Sequence, residues 1–272
     1  MRSTSLTLFC ALMLGCGDVA GAGKGGPVAE GEGAGPDSAD PGSGSDGEGG
    51  AGGPLVAPAG LRVLFYRGEG GFSPRSSGEG SFGALGAQLW ERFGYSSDET
   101  DVWPDDLAPY RLINLLAPGH RDPSARFSAE QVAALQAVMA TGTRVVLWGE
   151  RSACRTEAAQ ALIDALEVDL AFTGEAADTN RVVDATAFGD HPVAEGVALV
   201  RFREPCYVQG GAGQVLVLDT AERPFGAWAR PGRGGELMLI GDFQAVDDSG
   251  ALGTEGADNL RFGENLALVA LP

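Results

Sequence analysis

The stretch Val145-Val-Leu-Trp-Gly-Glu-Arg-Ser-Ala-Cys154 runs from a continuous apolar segment into a glycine turn. Many α/β enzymes hold a nucleophile on such a turn, where it needs a thiol or hydroxyl at the apex and a base within reach. This turn offers Glu150 and Arg151 instead. Arginine stays protonated at any accessible pH and cannot attack a carbonyl. Cys154 follows Arg151 by three residues, which turns it off the apex. The chain has two histidines, His120 and His191, neither spaced for a relay with that turn. Binding chemistry fits this set better. Glu150 and Arg151, with Asp242 at the carboxyl end of a later strand, form the predicted polar ligand pocket, because α/β pockets open at the carboxyl ends of strands.

Other groupings carry less. Asp242, Asp247 and Asp248, with Glu255 and Asp258 beyond, cluster after the last strand. Hard cations use clustered oxygens, yet the spacing does not match an EF-hand. We read these as solvated loop acids and expect neither metal nor cofactor. Gly78-Glu-Gly-Ser-Phe-Gly83 matches G-x-G-x-x-G. A dinucleotide fingerprint must follow its strand directly, and here a long loop intervenes, so we read it as a glycine-rich loop. Trp90, Trp103, Trp148 and Trp228 lie in different elements and read as core or rim packing. Of the four cysteines, Cys154 and Cys206 remain once Cys10 and Cys16 are assigned to the leader. An even pair in an oxidising compartment predicts a disulfide.

The elements that would position these groups are legible from residue 61 onward. Leu61–Tyr66, Arg111–Leu116 and Arg144–Trp148 are apolar runs of strand type. Helical spacing appears over 83–94, after the capping-box pattern Ser128-Ala-Glu-Gln131, and again through Ala158, Ala159, Leu162, Ile163 and Leu166. Alternating strand and helix imply a parallel sheet covered on both faces. From about 181 to 240 the pattern becomes β-rich, at Arg181–Asp184, Leu199–Phe202, Val215–Leu218, Phe225–Ala229 and Glu236–Ile240. Asn259–Leu271 closes the chain as an apolar helix. The expectation is a three-layer α/β domain over 61–272, with a mostly parallel sheet and an added β-rich section.

Before residue 61 the composition is different. Arg2, the apolar run Leu6–Leu14 and Gly15-Cys16 fit a secretory leader, too short for the roughly 20 residues that span a bilayer. Leu-Met-Leu-Gly-Cys16 resembles a lipobox, whose cysteine thiol takes a diacylglycerol. Ordinary secretion with cleavage after Ala20-Gly-Ala22 stands as the alternative. Residues 17–60 hold seven acids, one lysine and no aromatic residue. Such a segment cannot bury enough apolar surface to offset its ordering entropy. It should act as a flexible acidic tether with an end-to-end distance of about 35 Å. The whole chain carries a net charge of −18, which repels phosphate backbones, so nucleic acid is not an expected partner.

The order "YRLINLLAPG", the capped helix into "TGTRVVLWGE", "HPVAEGV" and "GELMLIGDFQAVDD…DNLRFGENLALVAL" resembles the class I glutamine-amidotransferase-like superfamily. The nearest branch is its non-catalytic relatives, the ThuA-like proteins and the domains of ABC-transporter auxiliary proteins. The resemblance implies a flavodoxin-like fold with a pocket at the strands' carboxyl ends. Catalytic members carry Gly-x-Cys-x-Gly after the third strand and a late His followed two residues on by Glu. Here Arg151 stands at the Cys position, Ala153 at the second Gly, and Val193 where His191 would need its acid. The expected protein is therefore anchored in the cell envelope by a lipid on Cys16, in the outer membrane ahead of the inner, or else secreted or periplasmic. Its head is expected to be a catalytically silent module that binds or scaffolds an envelope protein or small ligand. An envelope hydrolase acting on cell-wall or carbohydrate material, with Glu150 or Asp242 as general base, is the alternative.

Overall fold

The structure is a computed structural model that describes residues 61–71, 80–150, 154–177, 182–211, 213–232, 234–250 and 253–268. The expected lipidation residue Cys16, the expected tether 17–60, the expected signal peptide and Arg151 lie outside the described residues.

Strands β1 (Arg62–Tyr66), β2 (Ser96–Thr100), β3 (Tyr110–Leu116), β4 (Arg144–Trp148) and β12 (Leu237–Ile240) form a continuous parallel block in the order β2-β1-β3-β4-β12. Beyond β12 the same sheet continues antiparallel through β11 (Pro224–Ala229), β10 (Val215–Leu218) and β7 (Ala187–Phe188), giving eight strands. Two further antiparallel pairs stand apart from it: β5 (Leu170–Ala176) with β9 (Cys206–Gly210), and β6 (Val182–Ala185) with β8 (Val200–Arg203).

Both faces of the parallel block are buried, as its unbroken apolar runs require. Val63, Phe65, Leu112, Val146, Trp148, Met238 and Ile240 face α1 (Gly83–Phe93) and α4 (Asn259–Leu268), packing with Leu85, Leu89, Phe262 and Leu266. Their alternates Leu64, Ile113, Leu115, Val145, Leu147, Leu237 and Leu239 face α2 (Ala129–Ala140) and α3 (Glu157–Ala165), packing with Leu135, Met139, Leu162 and Ile163. The period-two alternation divides one strand set between two cores, and three layers result.

The caps follow local chemistry. The Ser128 hydroxyl accepts from Gln131 N while the Gln131 amide oxygen accepts from Ser128 N, completing the capping box on α2. Helix α1 has no side-chain cap of its own. Asp248 supplies one from far along the chain, accepting from Gly83 N at 3.0 Å and Ala84 N at 3.1 Å. The reading of the late acids as solvated holds for exposed Glu255 and is corrected for Asp242, Asp247 and Asp248. Asp247 is fully buried and accepts from Gly80 N at 2.6 Å and Ser249 N at 2.9 Å. Its carboxylate ties the loop before α1 to the loop after β12, so the pair of acids organises two loops and is not idle surface charge.

Candidate functional site

The loops that follow β1, β3, β4 and β12 all leave the sheet at its carboxyl edge. Two of them are stitched together by backbone. Gly119 N donates to Glu69 O at 2.7 Å, and Arg121 N donates to Gly70 O at 2.6 Å. Gly119 has φ +80°, and a Cβ there would stand 2.9 Å from that of Thr156, so this close approach requires glycine. The stitched loop delivers His120. Its Nδ1 lies 3.4 Å from Glu150 Oε2, and both side chains keep partial solvent access, at 19% and 14%. The ring comes from the end of β3 and the carboxylate from the end of the neighbouring β4.

Ile240 lies opposite Trp148 in the β12–β4 register, so Asp242 and Glu150, two residues further on, leave from adjacent strand ends. They differ in environment. Asp242 is buried, accepting from Arg203 N at 2.8 Å on one oxygen and from Gln244 N at 2.9 Å on the other. Burial pushes its carboxyl up to about 8, against the pull of those two amides, and the nearby charges of Asp247 and Glu150 add to the rise. Asp242 caps the 3-10 turn Phe243–Val246 and holds the β8–β9 corner against the sheet edge. Glu150 has the access to solvent that Asp242 lacks.

A disulfide frames this edge. Cys154 and Cys206 are bonded, with their Cα atoms 5.2 Å apart. Cys206 sits directly over the end of β12: its N–H donates to Gly241 O at 3.0 Å, and a Cβ on Gly241 would lie 2.2 Å from Cys206 O. Cys206 Sγ also touches the Glu150 carbonyl oxygen at 3.3 Å, a contact without a proton because the sulfur is bonded to its partner. The sulfur against Glu150 is thus spent on a crosslink. Thr156, the first hydroxyl after Glu150 among the described residues, donates to Pro118 O at 2.6 Å and accepts from Ala159 N at 3.0 Å as the cap of α3.

No family model and no curated protein sequence matches the chain. Solved structures do. The cytoplasmic protein STM3548 from Salmonella typhimurium aligns with a TM-score of 0.53 at 13% identity, over 77% of this chain and 98% of that one. The mmIFT52 N-terminal domain aligns with a TM-score of 0.52 at 12% identity, over 74% and 93%. A putative ThuA-like protein from Bacteroides uniformis aligns at 0.47 with 14% identity, over 79% and 93%. At such identities the likeness is one of fold: a flavodoxin-like α/β domain of mostly parallel sheet.

The second histidine is placed elsewhere. His191 lies at the opposite edge, where β4 and β12 begin. Its Nδ1 accepts from Val193 N at 3.2 Å, so in the neutral ring Nε2 carries the hydrogen and faces Glu236 Oε1 at 3.4 Å. Glu236 also receives Arg144 (Nε 3.0 Å, Nη2 2.6 Å) and Arg230 (Nη2 2.7 Å). Burial works to raise the Glu236 carboxyl, but His191, Arg144 and Arg230 hold it down at about 2. This network is structural: Arg144 Nη1 continues to the Leu266 carbonyl at the end of α4.

Of the predicted site, Glu150 and Asp242 meet at one edge, with Asp242 sealed beneath it. His120 was not among the predicted pocket residues. Its position directly after "INLLAPG", at the carboxyl end of a strand, is the signal that marks it. Among the described residues no group of three or more His, Cys, Asp or Glu side chains converges to hold a metal. The His120–Glu150 pair can orient an imidazole and exchange hydrogen bonds with a bound polar group.

Proposed function

We propose that this chain is a lipid-anchored envelope protein whose α/β head binds a partner or small polar ligand at the carboxyl edge of its sheet, through His120, Glu150 and Arg151, without covalent catalysis. The observation that carries the reading is the Cys154–Cys206 disulfide beside Glu150. It removes the Cys206 thiol from nucleophilic service, and it supports maturation in an oxidising compartment. Arg151 at the elbow position supports anion or carboxylate recognition, since a guanidinium offers a fork of donors. No helix among the described residues is long and apolar enough to cross a membrane, so attachment in this reading rests on the acylated Cys16.

Two measurements test it. Intact mass of the membrane fraction should show a diacylglyceryl Cys16, and Cys16→Ser should move the protein to the soluble fraction. A panel of small carboxylates, sugars and cell-wall fragments, followed by thermal shift, should yield a stabilising ligand whose effect disappears in Glu150→Ala and His120→Ala. Turnover of any of those compounds by the wild-type protein, lost in Glu150→Ala, would instead establish the second reading, an envelope hydrolase with Glu150 as general base. That reading is favoured by one observation, the 3.4 Å His120–Glu150 contact at a partly open edge.

A further inference from the structure

Strand β2 ends the sheet among the described residues, and its sequence, Ser-Ser-Asp-Glu-Thr, has no apolar member. Its register with β1 runs from Arg62↔Ser96 to Tyr66↔Thr100. Ser96 N donates to Leu61 O at 3.2 Å, and Arg67 N donates to Thr100 O at 2.9 Å. In a parallel ladder each residue turns its N–H and C=O to the same side, and successive residues alternate. Ser96, Asp98 and Thr100 therefore face β1, while the backbone groups of Ser97 and Glu99 point outward from the sheet. An open row of this kind is a template for one more strand.

Beside that row lies a cleft of about 550 Å³ whose walls include Asp98, Glu99, Val102, Trp103, Asp105 and Tyr110. Val102 is 71% exposed, one of three large apolar side chains so placed among the described residues. The cleft already holds one guanidinium. Arg62 pairs with Asp98 at 2.5 Å and lies 5.3 Å from the centroid of the Tyr110 ring. Asp98 is paired with Arg62 and Glu99 with Arg67, so the cleft acid outside those pairs is Asp105, which shares the wall with the Trp103 ring, a combination suited to one further cation. The same charge repels a second copy of a chain that carries −18 overall, so self-pairing along this edge is disfavoured while a basic partner is attracted.

We propose that β2 is a docking edge for an extended, arginine- or lysine-bearing segment of a partner protein. The segment adds as a further strand along Ser97 and Glu99 and places a cationic side chain in the Trp103–Asp105 cleft. This is separate from the site at the carboxyl edge, and it stands or falls without it.

The probe is the capped peptide Val-Arg-Val-Arg-Val-Arg-Val, titrated into the full chain, with a form N-methylated at alternate residues and a Val-Glu analogue as comparisons. Binding of the arginine peptide is expected, with amide hydrogen exchange slowed at Ser97 and Glu99 and unchanged at Ser96 and Asp98. N-methylation should weaken binding at least tenfold, as should Asp105→Arg, and the Val-Glu peptide should not bind. Absence of binding by the arginine peptide overturns the proposal. So does binding that N-methylation leaves unchanged, or that slows exchange elsewhere, because either outcome reduces the edge to charged surface.

Discussion

Arg144 and Glu236 form a buried ion pair in which two nitrogens of the guanidinium, Nε at 3.0 Å and Nη2 at 2.6 Å, converge on one carboxylate oxygen. The pair joins the starts of β4 and β12, and through the Leu266 carbonyl it also fastens the end of α4. Removing one partner leaves the other charged and buried. Glu236→Ala, which strips buried Arg144 of its carboxylate, is therefore expected to destabilise the head by about 3–5 kcal/mol, read as a fall in the midpoint of urea unfolding. The pH dependence has a defined sign. The Glu236 carboxyl is held at about 2, against an ordinary value of 4.5. Its contribution is fully present above pH 4.5 and disappears as pH falls toward 2, amounting to about 3 kcal/mol at most. In Glu236→Gln this acid-side loss should be absent.

The crosslink between Cys154 and Cys206 spans 52 residues. Closing a loop of that length lowers the entropy of the unfolded chain and stabilises the fold by about 4 kcal/mol in the chain-entropy model. Replacing both cysteines by serine should lower the melting temperature by roughly 10 °C, given about 2–4 °C per kcal/mol for a domain of this size. Reduction of the wild-type protein should reproduce the shift and leave the double variant unchanged. Equal melting temperatures with and without reductant would remove the crosslink from any account of this edge.

Asp242 gives an opposite pH signature. Burial raises its carboxyl from 3.8 to about 8, so the folded head holds a proton that the unfolded chain releases. Stability from this group is fully present below pH 3.8 and is lost as pH rises toward 8. Glu236 acts from the acid side, so the combined contribution of these two groups is greatest near pH 4–5. Asp242→Asn should flatten the neutral-to-alkaline limb of a plot of unfolding free energy against pH. A limb of unchanged slope in that variant would show that Asp242 ionises normally in the fold.

The contrast between what the sequence discloses and what it hides has a physical basis. Leu61–Tyr66, Arg144–Trp148 and the Ser128 capping box announce themselves because buried parallel strands and helix caps leave periodic or local marks. β2 leaves none: an edge strand with one face of partners and polar side chains has no apolar alternation to read. β5 and β9 escaped for a different reason: they pair with each other outside the main sheet, although Leu170, Phe172 and Val208 pack into its core. Glu150 and Asp242 were legible as neighbours because both follow strand ends. Their unequal burial was not, because it depends on Arg203 N arriving from a hairpin far away in sequence. Asp247 and Asp248 were misjudged on the same ground, as their partners Gly80, Gly83 and Ala84 lie more than 160 residues earlier.

Gly241 is where the hairpin and the sheet edge come closest. A Cβ there would stand 2.2 Å from the Cys206 carbonyl oxygen and 2.9 Å from its nitrogen, and both are backbone atoms that cannot rotate away. The same residue donates to Phe225 O at 2.8 Å and accepts from Cys206 N at 3.0 Å, so the hairpin cannot lift without breaking the bond that holds it. Gly241→Ala should therefore destabilise the head by about 1–3 kcal/mol, the usual cost of overpacking. It should also displace Cys206 from Cys154, which an alkylation assay would detect as free thiol in protein purified without reductant. Gly94→Ala is the control. Its Cβ would meet nothing within 4 Å, and its cost comes only from φ +70°, so it should lower stability without exposing a thiol. Free thiol in both variants would mean that global loosening, and not the contact at Gly241, opens the crosslink.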